Sequence, residues 1–326
     1  MDFNLNFDEM IKNVESVQGP LDNKFGPDPR FWKISRNDKD QGIAIIRLLP
    51  SFIKIDGKES VTPFIRVYRH NINLKEYGVK KFYDMESPSS IGLPCAVSDL
   101  YKELGKIGTD ESEKLKKCIR RSTKFISNVY IKKDPLKPEN DSKIKLWEFG
   151  TKLKDKFQLA AKPSQEEIAL GTKPVNLWDP VNGADIKLTQ KKSGGFYNYD
   201  DTQIMTPAPL MNFASGDELA QWIRENTIAL DEWLEPDHYI TYEEQCDKLR
   251  FVFEGSKVED YLKSIGSFLY GGKPQTINET QDTIQNVNQI TQENTQEIPT
   301  ESVQKTEPEV TQSNVSDDLD FLDEIW

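Results

Sequence analysis

The run IAIIRLLP, Ile43–Pro50, sets six apolar residues around a single arginine and closes on a proline. So many β-branched and aliphatic residues, stopped by Pro50 before a helix of ordinary length could form, read as a buried β-strand. Arg47 at its centre needs a partner in such surroundings, either a carboxylate or a phosphate. Outward from this run, FWKIS (Phe31–Ser35), VTPFIRVYRH (Val61–His70), VKKFYDM (Val79–Met85), FISNVYI (Phe125–Ile131) and KIKLWEF (Lys143–Phe149) share its character, each bounded by turn residues. The pattern is strand-rich and barrel-like. Between them, Ala96–Cys118 carries apolar residues at helical spacing around Gly105 and Gly108, which predicts two inserted helices, and Lys152–Ala161 predicts another. A second strand group is expected at Val175–Trp178 and Ala184–Lys192, ending in Ser193-Gly194-Gly195 and the aromatics Phe196, Tyr197 and Tyr199. Beyond Gly216 the period becomes helical, predicting three helices that end at Gly271-Gly272.

Hydrophobic residues make up 36% of the 326-residue chain, below the roughly 45% of a wholly globular one, so part of it is expected to lack a core. Pro274–Ser316, rich in Thr, Gln, Asn and Glu, is that part, too poor in apolar residues to offset chain ordering. The organisation expected is an arm at 1–29, a strand-rich core at 30–213 with an inserted subdomain around 79–118, a helical flank at 214–272, a disordered linker at 273–315 and an acidic, apolar tip at 316–326. No run is long and apolar enough to span a bilayer, and MDFNLNFDEM lacks the order of a signal peptide, so a soluble, cytoplasmic chain is expected. Cys95, Cys118 and Cys246 lie far apart and form no paired framework. The net charge of −12 conceals segregation: residues 1–29 carry −4, residues 30–200 carry +11 and residues 201–326 carry −19. A basic middle in an acidic chain is the asymmetry expected when one region holds a polyanion and another repels or mimics it.

Catalytic motifs are missing: there is no P-loop, GxGxxG, GxSxG or HExxH, and His70 and His238 are the only histidines. Contact with a single-stranded polyanion asks instead for cations interleaved with aromatic faces. Such clusters occur at Arg66, Tyr68, Arg69 and His70; at Lys80, Lys81, Phe82 and Tyr83; at Lys114, Lys116, Lys117, Arg120, Arg121, Lys124, Phe125 and Tyr130; and at Lys191, Lys192, Phe196, Tyr197 and Tyr199. The plain alternative is that an aromatic in a strand belongs to the core, and that alternating cations are a solvated face. Gly194-Gly195 favours exposure of the aromatics after it, since consecutive rings on a loop cannot all be buried. Adjacent Arg120 and Arg121 face different ways on regular structure. His70 with Cys95 supplies two metal donors where tetrahedral zinc takes four, so a structural role is expected and no metal or other cofactor.

With these residues in view the chain resembles the helix-destabilising, single-stranded DNA-binding proteins of T-even-type bacteriophages. The matching blocks are AIIRLLP (Ala44–Pro50), the strand ending in His70, RRSTKFISNVYIKKDPLKPEN (Arg120–Asn140), EFG (Glu148–Gly150), SGGFYNYD (Ser193–Asp200) and the tip DDLDFLDEIW. The resemblance implies an OB-type β-barrel with inserted subdomains, cooperative coating of single strands in replication, recombination and repair, no enzymatic activity, and action in the cytoplasm of the infected host. It places DNA contacts on Arg47, Phe82, Tyr83, Arg121, Phe125, Phe196 and Tyr199; with the clusters, the expected contact set adds Arg69, Lys81, Lys117, Arg120, Lys124, Lys192 and Tyr197. It assigns the recruitment of replication and recombination proteins to the tip, through Asp317, Asp318, Leu319, Asp320, Phe321, Leu322, Asp323, Glu324 and Trp326. Two features depart from the family. Its better-known members hold zinc with one His and three Cys, whereas here His70 matches and Cys95 is the one cysteine in the region that follows. Its arm carries a basic motif for the neighbouring protein on the strand, whereas MDFNLNFDEMIKNVES is acidic and apolar, leaving docking to Phe3, Phe7 and Ile11 or to another surface. Two other functions fit the same residues: an adaptor acting through its acidic tip, and an RNA-binding translational regulator.

Overall fold

The computed structural model describes residues 28–55 and 57–271. All but the last two residues of the arm, the linker and the tip lie outside them. The strands in chain order are β1 (Gln41–Leu49), β2 (Ser51–Ile55), β3 (Lys58–Thr62), β4 (Ile65–Ile72), β5 (Tyr83–Glu86), β6 (Arg121–Lys133), β7 (Lys143–Gly150), β8 (Ala184–Ser193), β9 (Phe196–Asn198) and β10 (Gln203–Pro207). The helices are α1 (Ala96–Ile107), α2 (Asp110–Cys118), α3 (Thr151–Ala161), α4 (Gln165–Ala169), α5 (Gly216–Asn226), α6 (Tyr242–Phe253) and α7 (Lys257–Ser264). Among the described residues no helix is long and apolar enough to cross a membrane. Contacts divide the chain into a first unit, residues 28–65 and 125–230, and a second, residues 66–124 and 231–271.

In the first unit IAIIRLLP is the central strand. β1 pairs antiparallel with β8 over Gln41–Ile46 and with β6 over Ile45–Leu49, changing register at a bulge between Ile45 and Ile46. With both edges paired and its last four residues buried, the run is apolar on both faces, as a strand covered on both sides must be. β8 also pairs antiparallel with β9 and β10, and β7 pairs with β6, so the ladder is mainly antiparallel. It is also open, since among the described residues nothing pairs β10 back onto β7. Ala44, Ile46 and Leu48 pack with Phe125, Val129, Trp147, Phe149, Phe157 and Trp178, the buried Ile, Leu, Val and Phe side chains contributing about 1.5–3 kcal/mol each.

Two expected strands do not form. FWKIS makes a single parallel bridge, Phe31 to Leu146, and then leaves the ladder, with Trp32 and Ile34 in the core. Val175–Trp178 is a turn in which the Trp178 amide donates to Asn176 Oδ1 at 3.1 Å, while Leu177 and Trp178 fill the core. In both, apolar residues satisfy the core through their side chains without entering a ladder. Pro63 divides VTPFIRVYRH into β3 and β4, as the missing N–H of proline requires.

The loop in KDPLKPEN (Lys133–Asn140) is organised by one buried carboxylate. Asp134 Oδ2 accepts from Trp32 Nε1 at 3.0 Å, Ser35 Oγ at 3.4 Å and Asn140 Nδ2 at 3.0 Å, and Oδ1 accepts from the Lys137 amide at 3.3 Å. This stretch, which lies in the matching block Arg120–Asn140, is therefore a structural latch.

In the second unit β4 pairs with β5 and β6. Ile72, Val97, Leu100, Leu104, Leu115 and Ile119 pack with Leu249, Val252, Phe253 and Leu262. The two helices expected in Ala96–Cys118 are α1 and α2, parted at Gly108, whose φ of 67° suits a residue without a side chain. The Thr109 hydroxyl caps α2, accepting from the Ser112 amide at 3.2 Å. Of the three helices expected after Gly216, α5 belongs to the first unit and α6 and α7 to the second.

Candidate nucleic-acid interface

In the first unit the β8–β9 hairpin carries the aromatic cluster. Gly194 and Gly195 turn it with φ of 60° and 91°, a left-handed pair that residues with a side chain rarely adopt, so the aromatics sit on a tight hairpin. Across it Lys192 pairs with Tyr197 and Ser193 with Phe196. The Tyr197 hydroxyl donates to Asp40 Oδ1 at 2.8 Å, Lys192 Nζ lies 3.1 Å from Asp40 Oδ2, and the Arg36 guanidinium sits 4.1 Å from the Tyr197 ring centre. The Tyr197 hydroxyl, and after it Lys192, hold the Asp40 carboxyl below its ordinary pKa. Phe196 and Tyr199 are half-buried, and the Tyr199 hydroxyl accepts from Gln190 Nε2 at 2.7 Å.

Arg47 and Phe125 also fall in this unit, both inside it. The Arg47 side chain is fully buried, with Nε 3.3 Å from Asp185 Oδ1 and Nη2 donating to the Ala208 carbonyl. Burial pulls its pKa down, against Asp185 and Asp179. Of carboxylate and phosphate, the partner present is the carboxylate. A Cβ on Gly183 would lie 2.4 Å from the Asp179 carbonyl and 3.2 Å from Arg47 Nη1, so this close passage excludes any larger residue. Phe125 packs edge-on to Phe64 at 5.2 Å and stacks on Phe149 at 5.8 Å.

In the second unit two arginines gather around one ring. Arg66 and Tyr68, two residues apart on β4, share a face. The Arg121 guanidinium carbon lies 3.7 Å from the Tyr68 ring centre and that of Arg66 lies 5.0 Å away, with Arg121 Nη1 donating to Ser89 Oγ at 3.2 Å. Lys117 is exposed in the last turn of α2, where a cation suits the helix dipole, and Arg120 follows it, half-buried. Lys124 is buried. Arg69 is held by two carboxylates, donating to Asp84 at 2.7 and 3.3 Å and lying 3.9 Å from Glu86. Phe82 is 50% exposed whereas Tyr83 is 4% exposed, and burial pushes the Tyr83 phenol pKa far up. Lys81 Nζ stands 3.4 Å from the ring centre of Phe251 and 2.8 Å from Glu254 Oε2.

Residues outside the expected contact set therefore join these cation–aromatic pairs, namely Arg66, Tyr68, Arg36 and Phe251. For Arg66 and Tyr68 alone among these the signal is in the sequence, in their shared parity.

His238 lies between two carboxylates of the same unit, Nε2 at 2.6 Å from Glu86 Oε2 and Nδ1 at 3.3 Å from Glu232 Oε1. Glu86, then Glu232, outweigh burial and raise its pKa above the ordinary value. A raised folded-state pKa gives stability that is complete below about pH 6.5 and disappears as pH climbs through the folded value. The unfolding midpoint is thus expected to fall above about pH 6.5, and His238→Gln to remove that portion of the pH dependence; thermal unfolding between pH 5 and 9 checks both.

His70 is buried beside Ser87 and Cys95, and burial brings its pKa down to about 4. One imidazole, one thiol and serine hydroxyls are not the donors tetrahedral zinc takes, and among the described residues no three His, Cys, Asp or Glu side chains are grouped to hold a metal. The residues present do not fit the family's zinc.

These features define an antiparallel-sheet protein whose surface pairs cations with aromatic rings. Residues 40–253 match the family described as gp32 DNA binding protein like, a stretch running from the residue before β1 to the end of α6, and the chain belongs to that family. The chain is similar to the single-stranded DNA-binding protein of Enterobacteria phage T4, 26% identical over 255 residues that cover 78% of this chain and 76% of that protein. It is likewise similar to that of Enterobacteria phage T2, 26% identical over 246 residues that cover 75% of this chain and 76% of the relative.

Proposed function

We propose that this protein is a bacteriophage single-stranded DNA-binding protein that coats and protects single strands during replication, recombination and repair in the host cytoplasm, without enzymatic activity. The observation that carries this reading is the set of cation–aromatic pairs, Arg121 on Tyr68 and Arg36 with Lys192 on Tyr197, in a family of DNA-binding proteins. Cations release counterions from the backbone and rings stack bases whatever their sequence, which gives affinity for single strands without base readout. The proposed contacts in the first unit are Lys192, Phe196, Tyr197 and Tyr199, with Arg47 and Phe125 supporting that unit from within, and those in the second are Arg69, Lys81, Phe82, Lys117, Arg120 and Arg121, with Tyr83 and Lys124 supporting it. An OB-type architecture of the strand-rich core accords with this use. We assign self-association along the strand to the arm at 1–29 and recruitment of replication and recombination proteins to the tip at 316–326, joined by the linker at 273–315.

Duplex melting follows by mass action, since a protein that binds the single strand alone draws the equilibrium toward it. Titration of intrinsic fluorescence with a thymidine oligomer and a matched duplex, at several salt concentrations, tests the proposal. Quenching by the oligomer alone, weakening steeply with salt, is the expected result; equal or absent quenching by the two defeats it. Removing residues 316–326 is expected to tighten oligomer binding, because those carboxylates compete with phosphate for the same cations.

A further inference from the structure

The loop Ser87–Ile91 joins β5 to α1, and its serines face in two directions at once. Inward, Ser87 Oγ lies 3.2 Å from His70 Nε2 and 3.2 Å from Cys95 Sγ, which itself is 3.4 Å from His70 Nε2. Outward, Ser87 Oγ bonds Ser89 Oγ at 2.8 Å, and Ser89 Oγ accepts from Arg121 Nη1 at 3.2 Å. The same loop grips the Tyr68 backbone: the Tyr68 amide donates to Ser90 Oγ at 2.8 Å and the Ser87 amide donates to the Tyr68 carbonyl at 2.7 Å. Both partners of the Arg121–Tyr68 stack are thus tied to one loop, and the loop is anchored on a buried imidazole and thiol at the place where the resemblance would put zinc.

We infer that the Ser87–Ser90 loop, anchored on His70 and Cys95 without a metal, positions Arg121 over Tyr68 for contact with the single strand. The inference rests on the proposed DNA-binding function and on Arg121 as a contact. Ser89 is a positioning residue: its hydroxyl fixes which way a five-donor guanidinium points, so less freedom is lost when a phosphate or base arrives.

The experiment is a double-mutant cycle on the full-length chain, read as thymidine-oligomer affinity. Ser89 is only half-buried, so Ser89→Ala leaves the fold standing where His70→Ala threatens it. Ser89→Ala is expected to weaken binding about fivefold, the worth of about one hydrogen bond. It should do nothing further in an Arg121→Ala background, and Ser89→Thr should restore binding. Arg121→Ala itself should lower the salt slope by about 0.7, one phosphate contact on a single strand. An equal loss from Ser89→Ala in both backgrounds, or none in either, overturns the positioning role and leaves Arg121 as a contact. An Arg121→Ala variant that binds as the parent does overturns the contact and the positioning together, while oligomer binding by the parent still upholds the general function. For the anchor, the purified protein is expected to carry no stoichiometric zinc and to keep its affinity and unfolding midpoint after dialysis against EDTA. One zinc per chain, lost together with affinity, overturns the metal-free assignment.

Discussion

Phe82→Ala is expected to weaken thymidine-oligomer binding by about 1–3 kcal/mol, roughly five- to 150-fold, and to leave the unfolding midpoint nearly unchanged. The ring is half exposed and follows Lys81 directly, so its removal takes away a stacking face and little core. Tyr83→Ala, one position along, is expected to do the reverse. Its ring is buried among Ile72, Val97 and Leu100, and truncating a buried aromatic costs about 3–5 kcal/mol of stability. Oligomer titration beside urea unfolding separates the two. Equal effects of both variants on affinity, with no stability difference, would overturn the assignment of one ring to the surface and the other to the core.

Asp185→Ala should cost about 3–5 kcal/mol of stability as well, because it strands the fully buried Arg47 charge. Asp185 also holds Lys132 Nζ at 2.6 Å, but that partner can turn to solvent and Arg47 cannot. Arg47→Met combined with Asp185→Ala removes the charge along with its partner and is expected to recover most of the loss. Denaturant midpoints of parent, single and double variants check this; a double variant no better than the single would mean that Arg47 is not held by charge pairing.

The two pairs of positions show where sequence stops informing. Strands were legible from runs such as IAIIRLLP because ladder-forming residues leave a local pattern, and α1, α2 and α3 because apolar spacing does the same. FWKIS and Val175–Trp178 carry the same local pattern, but whether a partner edge lies alongside is decided by residues outside the run, Leu146 for Phe31 and Ala160 and Ser127 for Val175 and Trp178. The contact surface depends on parity within a strand: Phe82 and Tyr83, as neighbours on extended chain, cannot both face outward, and composition does not say which one does. Arg47 was open between carboxylate and phosphate because Asp185 arrives from a different strand. Lys124 reads as a solvated cation until the buried run of β6 surrounds it. Arg36 and Phe251 left no signal, being a loop residue and a helix residue whose partners, Tyr197 and Lys81, come from distant segments.

The Asp134 latch bears on how the chain is made. Trp32 finds its carboxylate 102 positions later, and β1 takes its edge partners from β6, which ends just before that carboxylate, and from β8, further along still. At about 5–20 residues per second of synthesis, roughly 5–20 seconds separate the ribosome's release of Trp32 from that of Asp134. For most of that interval IAIIRLLP is a nascent apolar strand with two open edges, a state prone to pairing with another chain. The same ordering that makes β1 the centre of the finished sheet leaves both of its edges open during translation until β6, and then β8, has been made.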